Sequence, residues 1–97
     1  MDQTLDWNNG KTMTIEAQFG TDAKGRPRIN TTGMEPPGPF VAIMGWIETH
    51  PDAPEVVVCL ERDPVYLFPE LTDINWAWDY LSEKPGAFEL LLKRLPE

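Results

Sequence analysis

Ninety-seven residues, 41% hydrophobic and 25% charged, make one globular domain and exclude a chain that is disordered throughout or fibrous. Sixteen Asp and Glu against eight Lys and Arg leave a formal net charge of -8, which repels nucleic-acid phosphates and anionic lipid headgroups, so no direct nucleic-acid or membrane binding is expected. One Cys and one His exclude a disulfide framework and a Cys/His zinc cluster.

The opening segment, Met1 to Asp6, lacks the basic stretch and apolar run of a secretory signal. The longest mostly apolar run, Phe40 to Ile47, falls far short of the roughly 20 residues of a membrane-spanning helix. Cys59, inside Val56 to Leu60, reads as a small buried hydrophobe suited to a reducing compartment. These features predict a cytoplasmic protein.

In chain order, residues 1–10 form an arm, polar apart from Leu5 and Trp7, expected either to dock through those two or to stay mobile until a partner orders it. From Thr12 to Phe19 the residues alternate, with Met13, Ile15, Ala17 and Phe19 on one side, which predicts a half-buried strand. Gly20 to Gly25 supplies a turn. Arg26 to Thr32 then returns as a weak strand that Pro27 confines to a sheet edge. Residues 33–39 hold three of the ten prolines and read as an extended loop.

Phe40 to Thr49 and Glu55 to Arg62 are apolar on both faces, the pattern of central strands, and His50 to Pro54 joins them as an antiparallel hairpin. Val65 to Phe68 is a short strand stopped by Pro69. Thr72 or Asp73 caps a helix through Ser82, because Ile74, Ala77, Trp78 and Leu81 recur at helical spacing. Pro85-Gly86 breaks it, and Phe88, Leu91, Leu92 and Leu95 repeat the spacing in a second helix from about Pro85 to Leu95. A strand through Phe88, Leu90 and Leu92 is the alternative for that segment. The predicted fold is a single α+β domain: a small antiparallel sheet of three to five strands followed by two C-terminal helices packed on one face.

Charge is unevenly distributed. Residues 1–28 balance, whereas residues 29–92 hold eleven acids against Arg62 and Lys84, a local net charge of -9. A field of that sign favours a basic partner and speeds encounter with it, although acids also serve simply to keep a small domain soluble. On the first predicted helix, Trp76 and Tyr80 lie away from the core stripe beside Asp79 and Glu83. With Asp73 at the helix start, these five are the candidate partner-binding residues. The second helix could equally cover Trp76 and Tyr80 as core. Trp46 reads as core.

Glycine-rich phosphate loops, Gly-x-Ser-x-Gly elbows, paired-cysteine motifs and His-Glu-x-x-His are all missing. His50 sits on a loop without an identifiable nucleophile, and carboxylate pairs such as Glu61 with Asp63 are common by chance in so acidic a chain. No metal and no cofactor are expected, and no catalysis. The expectation is a small acidic binding protein that blocks a basic site on a larger partner, such as a nucleic-acid-binding protein, as a monomer or homodimer. In size and charge alone it is similar to phage- or mobile-element-encoded inhibitors that mimic DNA, anti-CRISPR proteins among them, and to toxin-immunity proteins. The competing class is a structural or accessory protein that self-associates through its sheet edge or the Trp76/Tyr80 face.

Overall fold

A computed structural model describes residues 16–96, so the arm and residues 12–15 of the first alternating segment lie outside the described residues. The elements are β1 (Gln18–Thr21), β2 (Pro27–Asn30), α1 (Gly38–Thr49), β3 (Glu55–Leu60), a 3-10 turn (Val65–Leu67), α2 (Phe68–Asp73), β4 (Trp76–Lys84) and β5 (Ala87–Arg94). The five strands form one mixed sheet in the order β1-β2-β3-β5-β4. β2 and β3 are parallel, with Ile29 opposite Val58, and every other neighbouring pair is antiparallel.

The expected fold, an antiparallel sheet followed by two C-terminal helices, is therefore corrected. The helices are inserted between strands, α1 between β2 and β3 and α2 between β3 and β4, and the C-terminus is a β-hairpin. A parallel pair requires a crossover, and α1 provides it. The expected hairpin of 40–49 with 55–62 does not form, because 38–49 is helical and β3 pairs with β2 and β5 instead. The strand expected over Val65 to Phe68 does not form: Val65–Leu67 is a 3-10 turn, and Phe68 is the first residue of α2.

Period-two alternation divides the sheet into two faces. One carries Ile29, Val56, Val58, Leu60, Leu90, Leu92 and Trp76, which join Ile43 and Ile47 of α1 with Leu67 and Leu71 in a single buried core. The opposite face carries Arg28, Val57, Cys59, Glu89, Leu91, Asp79 and Lys93. Pro27 does not hold β2 at an edge: it is the strand's first residue, opposite only Thr21, and the ladder to β3 begins at Arg28, where an N–H is again available.

The expected loop over 33–39 also ends sooner. Gly38 and Pro39 already belong to the first turn of α1, where proline's missing N–H is no loss. The β4–β5 hairpin is closed by Pro85-Gly86, with Gly86 at φ 82, a conformation glycine adopts without penalty. Phe68 of α2 stacks on Trp78 of β4 at 4.2 Å and meets Tyr80 edge-on at 6.3 Å, fixing α2 over the β4–β5 end of the sheet.

Candidate functional site

In α/β sheets a crevice forms where parallel strands end and the chain leaves for a helix. Here the loops after β2 and β3 enclose such a cleft, of about 370 Å³, at the carboxyl ends of the parallel pair and the start of α1. Leu60, Pro36, Pro39 and Met34 supply apolar lining, Thr31 lies buried beneath, and Glu35, Glu61, Arg62, Asp63 and Tyr66 supply the polar rim. Thr31 prolongs the β2–β3 pairing: its N–H and its hydroxyl both donate to the Cys59 carbonyl, at 2.9 and 2.8 Å.

The acidic loop is tied on two sides. Gly86, at the tip of the β4–β5 hairpin, donates its N–H to the Glu61 carbonyl at 3.0 Å, and the Tyr80 hydroxyl donates to the Asp63 carboxylate at 2.6 Å. That bond, some burial, and the negative charges of Asp63 and Glu83 push the Tyr80 phenol up to about 12. Burial alone raises Tyr66 above its ordinary value.

The start of α1 is a poor anion cradle. Pro37 and Pro39 have no N–H to give, Gly38 donates to the Glu35 carbonyl, and Val41 donates to the Pro37 carbonyl. Three carboxylates against one guanidinium around an apolar floor favour a cation with an apolar stem. Among the described residues no three His, Cys, Asp or Glu side chains converge as a metal site.

The five residues expected to bind a partner do not form one stripe. Residues 76–84 are a strand, so Trp76 and Tyr80 face the helices whereas Asp79 faces the other way. Trp76 is 2% exposed and belongs to the core. Asp79 is paired with Lys93 at 2.6 Å on the open sheet face, and Asp73 is exposed at the end of α2. Tyr80 and Glu83 do converge with Asp63. Trp46 lies on α1, partly exposed and stacked on His50 at 4.1 Å, rather than within a strand.

Of the cleft residues, the sequence singled out only Glu61 and Asp63, as a pair without distinctive spacing. Glu35, Arg62 and Tyr66 were missed. Their signal was positional: Glu35 lies in the loop after β2, and Arg62 and Tyr66 in the loop and turn after the apolar β3, and only the parallel pairing of β2 with β3 brings those loops to the same end.

A two-layer α/β domain with a small acidic cleft is the class of protein defined by this arrangement. The chain belongs to a family described as uncharacterized conserved protein (DUF2249), which matches residues 28–94, from β2 to the last residue of β5. The cleft lies wholly within the matched segment, and β1 precedes it. No curated protein and no solved structure matches the chain. No helix among the described residues is long and apolar enough to cross a membrane.

Proposed function

We propose that this is a small non-catalytic binding protein that captures a basic segment of a partner protein in the acidic cleft, thereby covering that segment's own binding surface. The observation that carries the reading is the combination of an apolar floor with Glu35, Glu61 and Asp63 at the rim. A Lys or Arg side chain has the matching form, an apolar stem with a cationic head. The net charge of -9 over residues 29–92 steers a basic partner toward this domain, and added salt weakens that attraction.

The open sheet face is a weaker candidate for the same role, because Asp79 and Glu89 there are matched by Lys93 and Arg28. Self-association through the sheet edge is the second reading, favoured by the nine-residue edge strand β4 and the exposed Leu81; the irregularity between Tyr80 and Ser82 works against regular edge pairing.

The test is an NMR titration of the full chain with an arginine- and lysine-rich peptide at low and high salt. The expected result is saturable shifts at Glu61 to Tyr66 and Glu35 that fade with salt and are abolished in Glu35→Lys/Glu61→Lys. Shifts confined to the open sheet face, or binding indifferent to both salt and the double substitution, would refute the cleft as the site. A concentration-dependent dimer without peptide binding would favour self-association.

A further inference from the structure

A second concavity, of about 420 Å³, lies between α1 and the turn joining α2 to β4, at the end of the sheet opposite the acidic cleft. Val41, Met44 and Ile74 line it together with Trp76, and Arg94 and Glu48 are its charged lining residues. Val41 is 61% and Ile74 40% exposed, so these apolar walls are open to a visitor. Gly45 contributes to the opening, since a Cβ there would meet nothing within 4 Å.

Among the described residues, two polar groups beside this groove lack the partner their chemistry calls for. The Trp76 indole N–H is buried and has no hydrogen-bond acceptor among the described residues, which is rare because a desolvated donor left unpaired is costly. The Arg94 guanidinium lies 4.7 Å over the same indole ring. Its Nε and Nη2 donate to the neutral carbonyls of Ala53 and His50, at 3.0 and 3.2 Å. Two of its five N–H donors are thereby committed, and the other ion pairs among the described residues leave its charge unmatched by a carboxylate.

We infer that this groove binds a small amphipathic carboxylate, whose head group is received by Arg94 and the Trp76 N–H and whose apolar body lies along Val41, Met44 and Ile74. A planar carboxylate accepts from a guanidinium through two oxygens, and such charge-assisted bonds are the strong ones. The volume is that of a site for a small organic molecule. Glu48 is exposed, and its like charge directs the head group toward Arg94 and away from itself. The site is independent of the acidic cleft, because a basic segment would be repelled by Arg94.

The probe is octanoate, with octanol and octylamine beside it, titrated into the ¹⁵N-labelled full chain while the indole N–H resonances are followed. The chain has four Trp, and the Trp76 resonance is assigned by its loss in Trp76→Phe. The expected result is a saturable downfield shift of that resonance with octanoate, a weaker response to octanol and none to octylamine. Arg94→Gln should weaken octanoate binding by about tenfold or more, the usual worth of a charge-assisted hydrogen bond. Because Arg94 also ties the chain at His50 and Ala53, Val41→Asp serves as a second variant: it alters an exposed wall residue, keeps the fold, and should abolish the shift. An unmoved Trp76 resonance, equal binding of octanol and octanoate, or full binding by Val41→Asp would each overturn the inference.

Discussion

The Tyr80 phenol donates a 2.6 Å hydrogen bond to Asp63, fastening the outermost strand of the sheet to the loop that walls the acidic cleft. The acceptor is an anion, so the bond and the surrounding negative charge favour the neutral phenol, whose pKa stands at about 12. An unfolded tyrosine titrates near 10. The contribution to stability is therefore complete below about pH 10 and is lost as the pH rises from there through 12. Absorbance titration near 295 nm should show one phenolate forming at about 12, absent in Tyr80→Phe. Stability of the substituted protein should also fall less steeply over that range. A wild-type titration with both tyrosines complete by pH 11 would contradict the contact.

Cys59 lies on the opposite face of the sheet, where its thiol donates to Glu89 at 3.4 Å and Arg28 stands 3.6 Å from the same carboxylate. Burial first, and the bond to Glu89 second, push the thiol up to about 11. The thiolate is the reactive species, so at pH 8 alkylation in the folded protein should run about a hundredfold slower than in the urea-unfolded chain. Glu89→Gln removes the anion while leaving Arg28, and should lower the thiol pKa and raise the rate. Rates followed by iodoacetamide labelling and mass spectrometry check both statements. Equal rates folded and unfolded would show Cys59 to be an open thiol.

Asn75 adopts φ 67, the left-handed conformation that side chains other than Asn and Asp seldom accept. Its carbonyl accepts the Leu95 N–H at 2.9 Å, and its amide group donates to the Leu95 and Pro96 carbonyls at 3.3 and 3.4 Å. It thus joins the start of β4 to the end of β5 beside the Trp76 groove. Asn75→Gly keeps the backbone conformation and loses only the side-chain bonds. Asn75→Ala loses the bonds and adds about 1 kcal/mol of strain, and Asn75→Val adds more. Urea unfolding should rank the costs Gly, Ala, Val in rising order. Alanine as stable as the native asparagine would remove the strain argument.

The strands at 26–32 and 55–62 are legible in the sequence, whereas the segments of β4 and β5 read there as helices, with a strand only as the alternative for β5. Phe88, Leu90 and Leu92 spell the buried face of β5, and Trp76, Trp78 and Tyr80 alternate just as plainly in β4. Each segment also carries an accidental helical spacing, Ile74-Ala77-Trp78-Leu81 and Phe88-Leu91-Leu92-Leu95, because the open sheet face here is partly apolar at Ala77 and Leu91, and Leu81 falls at the bulge between Tyr80 and Ser82, where the alternation is interrupted. Pro85-Gly86 suits a helix break as well as the hairpin turn that it forms. The acidic cleft was less legible still. Its residues come from two loops about 25 positions apart, and their meeting depends on the parallel pairing of β2 with β3, which no local pattern encodes.

Residues 40–49 offer the sharpest test of how the pattern misled. Val41, Ile43 and Ile47 share odd positions, so a strand would put them on one face, all equally buried. The helix separates them: Ile43 is fully buried and Ile47 6% exposed, whereas Val41, two residues from Ile43 and so on a different side of the helix, is 61% exposed. The segment resembles a doubly covered strand because the outer side of α1, with Val41 and Gly45, is also poor in charge. Ile43→Ala should cost about 2–5 kcal/mol in urea unfolding, the usual range for truncating a buried isoleucine. Val41→Ala and Val41→Asp should each stay within roughly 0.5 kcal/mol of the native chain, as surface substitutions do. Comparable large losses at both positions would mean that they share a buried face, and the helix would have to be abandoned for a strand. A large loss at Ile43 alone places α1 on the sheet by its Ile43–Ile47 side and leaves Val41 facing outward over the groove.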